Sequence, residues 1–206
     1  MRKMALTKLD IYTALLTLGS MIPGIAVYSR LPEEIAIHFT MDNQADGWAD
    51  KGFAVFGIPF ILTILQLSSC AVCNSDRRTA QSGKVNRIVR FFIPIIAYVV
   101  ETMMILYSME KLTDISLVMT CMLSVLMIVV GNYAPKTRQN SFLGIRTRKT
   151  LSDEVVWNKV HRLAGKVWTV GGIIMLILAL NSLYPAALLL LMFVLFLVPI
   201  FYQIGL

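Results

Sequence analysis

Residues 131–168, GNYAPKTRQNSFLGIRTRKTLSDEVVWNKVHRLAGKVW, form a polar and strongly basic island between apolar runs that are each long enough to cross a lipid bilayer. Outward from this island the chain is apolar almost throughout. Of 206 residues, 57% are hydrophobic and only 15% charged. The mean hydropathy of +0.70 lies outside the range of water-soluble domains. Six uninterrupted runs suit a hydrocarbon core about 30 Å thick: Leu9 to Ser29, Phe53 to Cys73, Phe91 to Ser108, Ile115 to Tyr133, Leu163 to Leu180 and Leu183 to Tyr202. Runs of this length satisfy their backbone groups as helices, whereas barrel strands need alternating segments of about 10 residues. The expectation is an all-α membrane protein, a bundle of six transmembrane helices in one domain over residues 1–206, with a short ordered outer loop.

Lys and Arg near span ends mark the cytoplasmic side. If six spans alternate, sixteen of the nineteen Lys and Arg fall on one side, leaving Arg30, Lys51 and Lys111 opposite. Both termini are therefore expected in the cytoplasm. Seven of the twelve acidic residues, Glu33, Glu34, Asp42, Asp46, Asp50, Glu110 and Asp114, fall on the outer side. The formal charge of +7 is then topogenic and complements anionic membrane lipids, and no direct nucleic-acid partner is implied. The basic start, Met1 to Lys3, fits the n-region of a signal peptide. The apolar run behind it is too long for one, and Ile25 to Ser29 lacks a small-x-small cleavage site, so the run reads as an uncleaved span. Cys70, Cys73 and Cys121 are too few for a disulfide framework, and no further ligands accompany Cys70 and Cys73. No metal or other cofactor is expected.

The outer-loop motif, residues 30–52, has its own pattern. Ile35, Ile37 and Phe39 alternate with Ala36, His38 and Thr40, the period of a half-buried strand, which turns His38 outward. Asp42, Asn43, Asp46 and Gly47 supply turn chemistry, and Trp48 suits the lipid interface. The segment reads as a small ordered cap, either a recognition surface with His38 and Lys51 as polar contacts or a membrane-surface lid.

Within the spans, Glu101 is the ionisable residue near mid-membrane, where a charge costs about 2.5–3.5 kcal/mol on insertion scales. It should face protein, with Tyr98, Gln66, Thr120 or Ser124 as hydrogen-bond partners. It either handles a proton or substrate or bridges helices as a neutral carboxyl. Pro23, Pro59, Pro94 and Pro199 are expected to kink spans one, two, three and six.

The island itself divides in two. Asn132-Tyr133-Ala134-Pro135 closes span four, and a basic loop from Lys136 to Lys149 follows, whose Phe142, Leu143 and Ile145 are expected to touch the inner leaflet. From Thr150 the pattern turns helical. Thr150 or Ser152 can cap, Asp153 and Glu154 suit the first turn, and Trp157, His161, Ala164 and Trp168 share one face. Residues 131–168 thus read as a cytoplasmic loop and amphipathic-helix motif whose helix runs into span five.

Gly131-Asn132, Pro135-Lys136, Asn140, Gly144-Ile145-Arg146-Thr147, Trp157, His161-Arg162 and Ala164-Gly165 resemble the signature of the SdpI family of bacterial membrane immunity proteins. Leu31-Pro32, Ile37-His38-Phe39, Asp46-Gly47 and Lys51 resemble the small domain of unknown function found upstream in that family. Two positions depart: family members usually carry Pro-Trp where this chain has Arg148-Lys149, and Pro where it has Ala36. The resemblance implies a plasma-membrane protein that protects a Gram-positive cell from a secreted peptide toxin. In the best-known system it also implies holding a cytoplasmic transcriptional repressor at the membrane once toxin is present. It implies binding roles for Asn132, Asn140, Gly144, Arg146, Thr147, Trp157 and His161 inside, and for His38, Phe39, Gly47 and Lys51 outside. No enzyme activity is expected, since no nucleophile, base and orienting group fall at recognisable spacing. The alternative is a small proton-coupled transporter built on Glu101 and the proline-bearing spans.

Overall fold

The computed structural model describes residues 6–75, 83–181 and 185–205; Arg2, Lys3, Arg77, Arg78 and Leu183 of the expectations above lie outside them. Among the described residues, six helical stretches are long and apolar enough to cross a membrane: Lys8–Arg30, Phe53–Ser75, Gly83–Ser108, Ile115–Lys136, Glu154–Leu180 and Pro185–Gly205. Each falls on one of the six apolar runs. The protein is a mostly helical, multi-pass membrane protein. By internal contacts the chain forms two compact units, one from Ala5–Ala71 and Ile88–Val118, the other chiefly from Met119–Leu206.

In the first unit, α1 (Lys8–Leu18) opens on a capping box in which Thr7 and Asp10 satisfy each other's backbone N–H groups. A 3₁₀ turn, Gly19–Met21, separates it from α2 (Ile22–Val27), with Pro23 in the first turn of α2. Span two begins with a π-helical turn, Phe53–Gly57, which gives way to α3 (Ile58–Ser75) just before Pro59. Pro94 falls within the first turn of α5 (Phe92–Ser108), which follows α4 (Gly83–Val89), most of which belongs to the other unit. No kink is required there, because a first-turn proline lacks only an N–H that has no helical partner. The core of this unit is Leu31, Ile35, Ala54, Val55, Met104 and Ile105. Arg90, 7% exposed, donates through Nε to the fully buried Asp10 carboxylate. Beside this pair, Gln66 donates to Thr13 Oγ1 at 2.8 Å and to the Arg90 carbonyl at 2.9 Å.

The outer loop is a two-stranded antiparallel hairpin, β1 (Glu34–Phe39) and β2 (Ala45–Asp50). β1 is the strand expected from sequence, but its alternation fails. Ile35 and Ala36 are both buried while Ile37 is exposed, because the register slips between Ala36 and His38, leaving Ile37 as the extra residue of a bulge. Asp46 and Gly47, expected in the turn, belong to β2. The turn is tighter and lies earlier, with Asn43 in the left-handed region at φ 62 and Thr40 N–H donating to Gln44 O at 2.8 Å.

In the second unit, the end of α6 (Ile115–Tyr133) passes through a 3₁₀ turn into the loop that carries the short α7 (Arg148–Ser152). Asp153 breaks the chain and caps α8 (Glu154–Leu180), its Oδ1 accepting from Val155 N–H at 2.7 Å and Val156 N–H at 3.3 Å. The cap is therefore Asp153 rather than Thr150 or Ser152. α9 (Pro185–Tyr202) contains Pro199. α6 and α8 cross closely: a Cβ on Gly165 would lie 2.4 Å from Pro135 Cγ, and one on Gly131 would lie 2.6 Å from Thr169 N. At 1.5 Å per residue, α8 is roughly 40 Å long, about 10 Å more than the hydrocarbon core. Its amino-terminal turns carry the exposed Glu154, Lys159 and Arg162, and the loop folds against them.

Candidate functional site

The loop is assembled around Trp157 and His161, 0% and 1% exposed. One helical turn apart on α8, their rings stack with centroids 4.0 Å apart and an interplanar angle of 19°. Trp157 Nε1 donates to Thr137 O at 2.7 Å, which anchors the start of the loop. His161 Nε2 accepts from Ile145 N–H at 3.0 Å, and His161 Nδ1 lies 2.8 Å from the Trp157 carbonyl. A carbonyl can only accept and a backbone N–H can only donate, so the proton is on Nδ1 and the ring is neutral. With both nitrogens engaged, His161 has no lone pair left to serve as a base.

Asn140 organises the other side of the loop. Its Oδ1 accepts from Phe142 N–H at 2.8 Å and Leu143 N–H at 2.6 Å, while Nδ2 donates to Arg138 O at 2.7 Å and Leu143 O at 3.0 Å. Those bonds turn the chain into Gly144, which stands at φ +106, a conformation open to glycine. A Cβ there would lie 2.4 Å from His161 Nε2 and 3.2 Å from the Trp157 ring. Ile145, expected at the leaflet, is instead 8% exposed in the core of this unit with Val156, Val160, Ala164 and Trp168. Thr147 caps α7, its hydroxyl donating to Gln203 Oε1, and Lys149 Nζ donates to Gln203 O at 3.0 Å. Arg146 remains exposed, with Nη1 on Ser141 O at 2.7 Å. Asn132 lies apart from this cluster, exposed and accepting from Lys136 Nζ at 3.3 Å. The role of Gln203 was not legible from the chain, because a lone glutamine beyond an apolar run carries no pattern.

On the hairpin, His38 faces outward as expected, 73% exposed, with Nδ1 2.5 Å from Asp46 Oδ1. Its cross-strand partner Gly47 leaves room for the His38 Cβ, which would lie 2.8 Å from a Cβ at that position. Phe39 packs edge-on against Tyr107, centroids 4.7 Å apart. Lys51 is a clamp rather than a free contact, since Nζ donates to Glu33 Oε1 at 2.8 Å and lies 5.2 Å from the Tyr28 ring. The Glu33 hydrogen bond holds its ammonium above the ordinary lysine pKa. Asn43 latches the hairpin tip, accepting from Ser116 N–H at 2.7 Å and donating to Asp114 at 3.3 Å.

Glu101 is 2% exposed, and neither carboxyl oxygen is hydrogen-bonded to a described residue. The partners expected from sequence are therefore not engaged: Gln66 is committed to Thr13 and Arg90, and Ser124 donates to Thr120 O. Instead, Glu101 faces two irregular helices, since a Cβ on Gly24 would lie 3.2 Å from its Oε1 and 2.8 Å from Val55 in the π-helical turn. Among the described residues no three of His, Cys, Asp and Glu converge as metal ligands.

The loop, α8 and α9 all fall within residues 136–203, which match the family model of the SdpI/YfhL protein family. Residues 136–203 are thus similar to the SdpI/YfhL protein family. A second match, to a domain of unknown function (DUF1648), covers residues 15–63 and contains the hairpin. The resemblance read from the motifs thus holds at both ends of the chain. The chain is also 28% identical over 176 residues to a protein named Immunity protein SdpI from Bacillus subtilis (strain 168), covering 84% of this chain and 82% of that relative. No solved structure matches. Within the matched region the motif residues Gly144, Trp157 and His161 are in contact and Asn140 shapes the same loop through Arg138, Phe142 and Leu143, whereas Asn132 lies before its start.

Proposed function

We propose that the protein is a membrane immunity protein that protects its cell from a secreted peptide toxin. The observation carrying this reading is the similarity to Immunity protein SdpI along most of both chains, with the hairpin and the Trp157–His161 loop each inside a matched region. The hairpin faces the medium and meets the peptide at His38, with Phe39, Gly47 and Lys51 holding its shape. The loop faces the cytoplasm, with both termini, and presents Arg146 and the neighbouring basic residues to a cytoplasmic transcriptional repressor and to anionic lipid headgroups. Support for this orientation comes from the basic bias of sixteen against three. Asn140, Gly144, Trp157 and His161 act by shaping the loop, because their polar groups are spent on each other and on the backbone. Expression in a toxin-sensitive bacterium tests the reading. Survival should rise with cognate peptide, and unchanged killing at normal membrane levels of the chain would refute it.

A second reading rests on Glu101, a buried carboxyl with no hydrogen bond to a described residue, beside two irregular helices. Irregular spans and an isolated intramembrane acid are features of transport sites. Glu101→Gln separates the readings. A chain that reaches the membrane but no longer protects favours proton-coupled expulsion, and retained protection favours binding at the hairpin.

A further inference from the structure

Of the seven carboxylates assigned to the outer side, five are engaged within the fold. Glu33 holds Lys51, Asp46 holds His38, Asp50 caps the start of span two, Asp114 accepts from Leu117 N–H and Asn43, and Asp42 has a partner of its own. The side chains of the other two, Glu34 and Glu110, have no hydrogen bond or ion pair to any described residue. Both line the same groove, a cavity of about 400 Å³ shared with Pro32, Trp48, Tyr107 and Ser108.

The rest of the groove is not what two solvated surface carboxylates need. Trp48 is 55% exposed, and its indole and the Tyr107 ring stand beside the two charges. The Ser108 hydroxyl oxygen is shielded from solvent without a hydrogen bond to a described residue. Glu110 occupies φ 58 at the end of α5, a slot that glycine usually fills, so a charged side chain is kept there against the backbone preference. Aromatic faces attract cations, unpaired carboxylates do so more strongly, and a partnerless hydroxyl can accept from an ammonium N–H. The volume sits at the small end of ligand cavities, roughly 300–1,000 Å³, enough for one long side chain with its aliphatic stem on the rings.

We propose that this groove seats an ammonium or guanidinium group of an extracellular peptide, its stem on Trp48 and Tyr107 and its charge between Glu34 and Glu110. The proposal rests on the immunity reading for the identity of the peptide, but the recognition chemistry can be measured without it. The experiment uses the full chain in detergent micelles and three fluorescent Ala/Leu peptide amides. One carries a single lysine with an acetylated amino terminus, one carries acetyl-lysine instead, and one has a free amino terminus and no lysine. Anisotropy, corrected for binding to empty micelles, should show the lysine peptide bound and the acetyl-lysine peptide not; the third peptide shows whether a terminal ammonium serves as well as a side chain. Glu34→Gln with Glu110→Gln should weaken binding at least about tenfold, in line with the loss of close charge contacts. Asp42→Asn, which removes an outer charge away from the groove, should not. Equal binding of the acetylated peptide, an unchanged double variant, or an equal loss in Asp42→Asn overturns the proposal. So does displacement of the peptide by phosphatidylethanolamine but not by phosphatidylglycerol, which assigns the groove to lipid. In cells, full protection by the double variant overturns a role for the groove while leaving the immunity reading intact. Failure of the unaltered chain to protect removes that reading and leaves peptide binding to decide the groove.

Discussion

Gly144 is where a single methyl group has the most to disturb. It stands at φ +106, with His161 Nε2 2.4 Å from where a Cβ would go, so Gly144→Ala must shift either the loop or the stacked pair. We expect a loss of about 1–3 kcal/mol, read as a lower unfolding temperature of the solubilised protein. His161→Phe keeps the ring stack but leaves Ile145 N–H without its acceptor, costing about 1–3 kcal/mol by the same measurement. Equal stability of both variants would mean that the loop does not depend on this contact. The shared face of Trp157 and His161 was legible in the sequence because four-residue spacing is local helical geometry. The need for glycine at position 144 was not, since it depends on a ring seventeen residues away in the chain.

The pair at Lys51 has a defined pH dependence. A lysine whose folded pKa is raised contributes stability that is fully present below its ordinary value of 10.5 and lost as pH rises through the raised value. Hydrogen exchange in the hairpin should therefore show no change in protection attributable to this pair between about pH 6 and about pH 9, after correction for the intrinsic exchange rate.

At the scale of elements, the hairpin and the helix contacts divide what sequence can tell. β1 announced itself through Ile35 and Phe39, but the bulge at Ile37 and the whole of β2 did not. Ala45, Gly47 and Ala49 have little strand propensity, and β2 exists because it pairs with β1. Its tip is fixed by Asn43 on Asp114 and Ser116. Asn43→Ala should raise hydrogen exchange in residues 40–50 while leaving α5 unchanged, and unaltered exchange would show the latch to be dispensable. The Asp10–Arg90 pair was overlooked for a different reason. Asp10 is the one acid before Glu33, and its cation lies 80 residues away in the chain, beyond any local pattern. Breaking one side of a buried pair costs about 3–5 kcal/mol. Asp10→Asn alone should therefore destabilise more than Asp10→Leu combined with Arg90→Met. A double variant destabilised as much as Asp10→Asn, or more, would show that the two charges are not coupled.

For the molecule as a whole, the six spans were readable because lipid offers backbone groups no partners, so every crossing must be a long apolar helix. What the apolar runs could not reveal is how each end is finished: the π-helical turn opposite Glu101, the capping of α8 by Asp153, and the clamping of the loop by Gln203. These depend on contacts between elements, not on the composition of any one. We propose that the two organised polar segments, each within a matched region, lie on opposite sides of the membrane, and the account depends on which of them faces the medium. Cysteine labelling of intact cells tests that most directly. In a chain whose Cys70, Cys73 and Cys121 are replaced by alanine, Gln44→Cys should react with a membrane-impermeant maleimide and Arg148→Cys should react only after lysis. Labelling of position 148 from outside, with position 44 protected, would invert the protein and contradict the account.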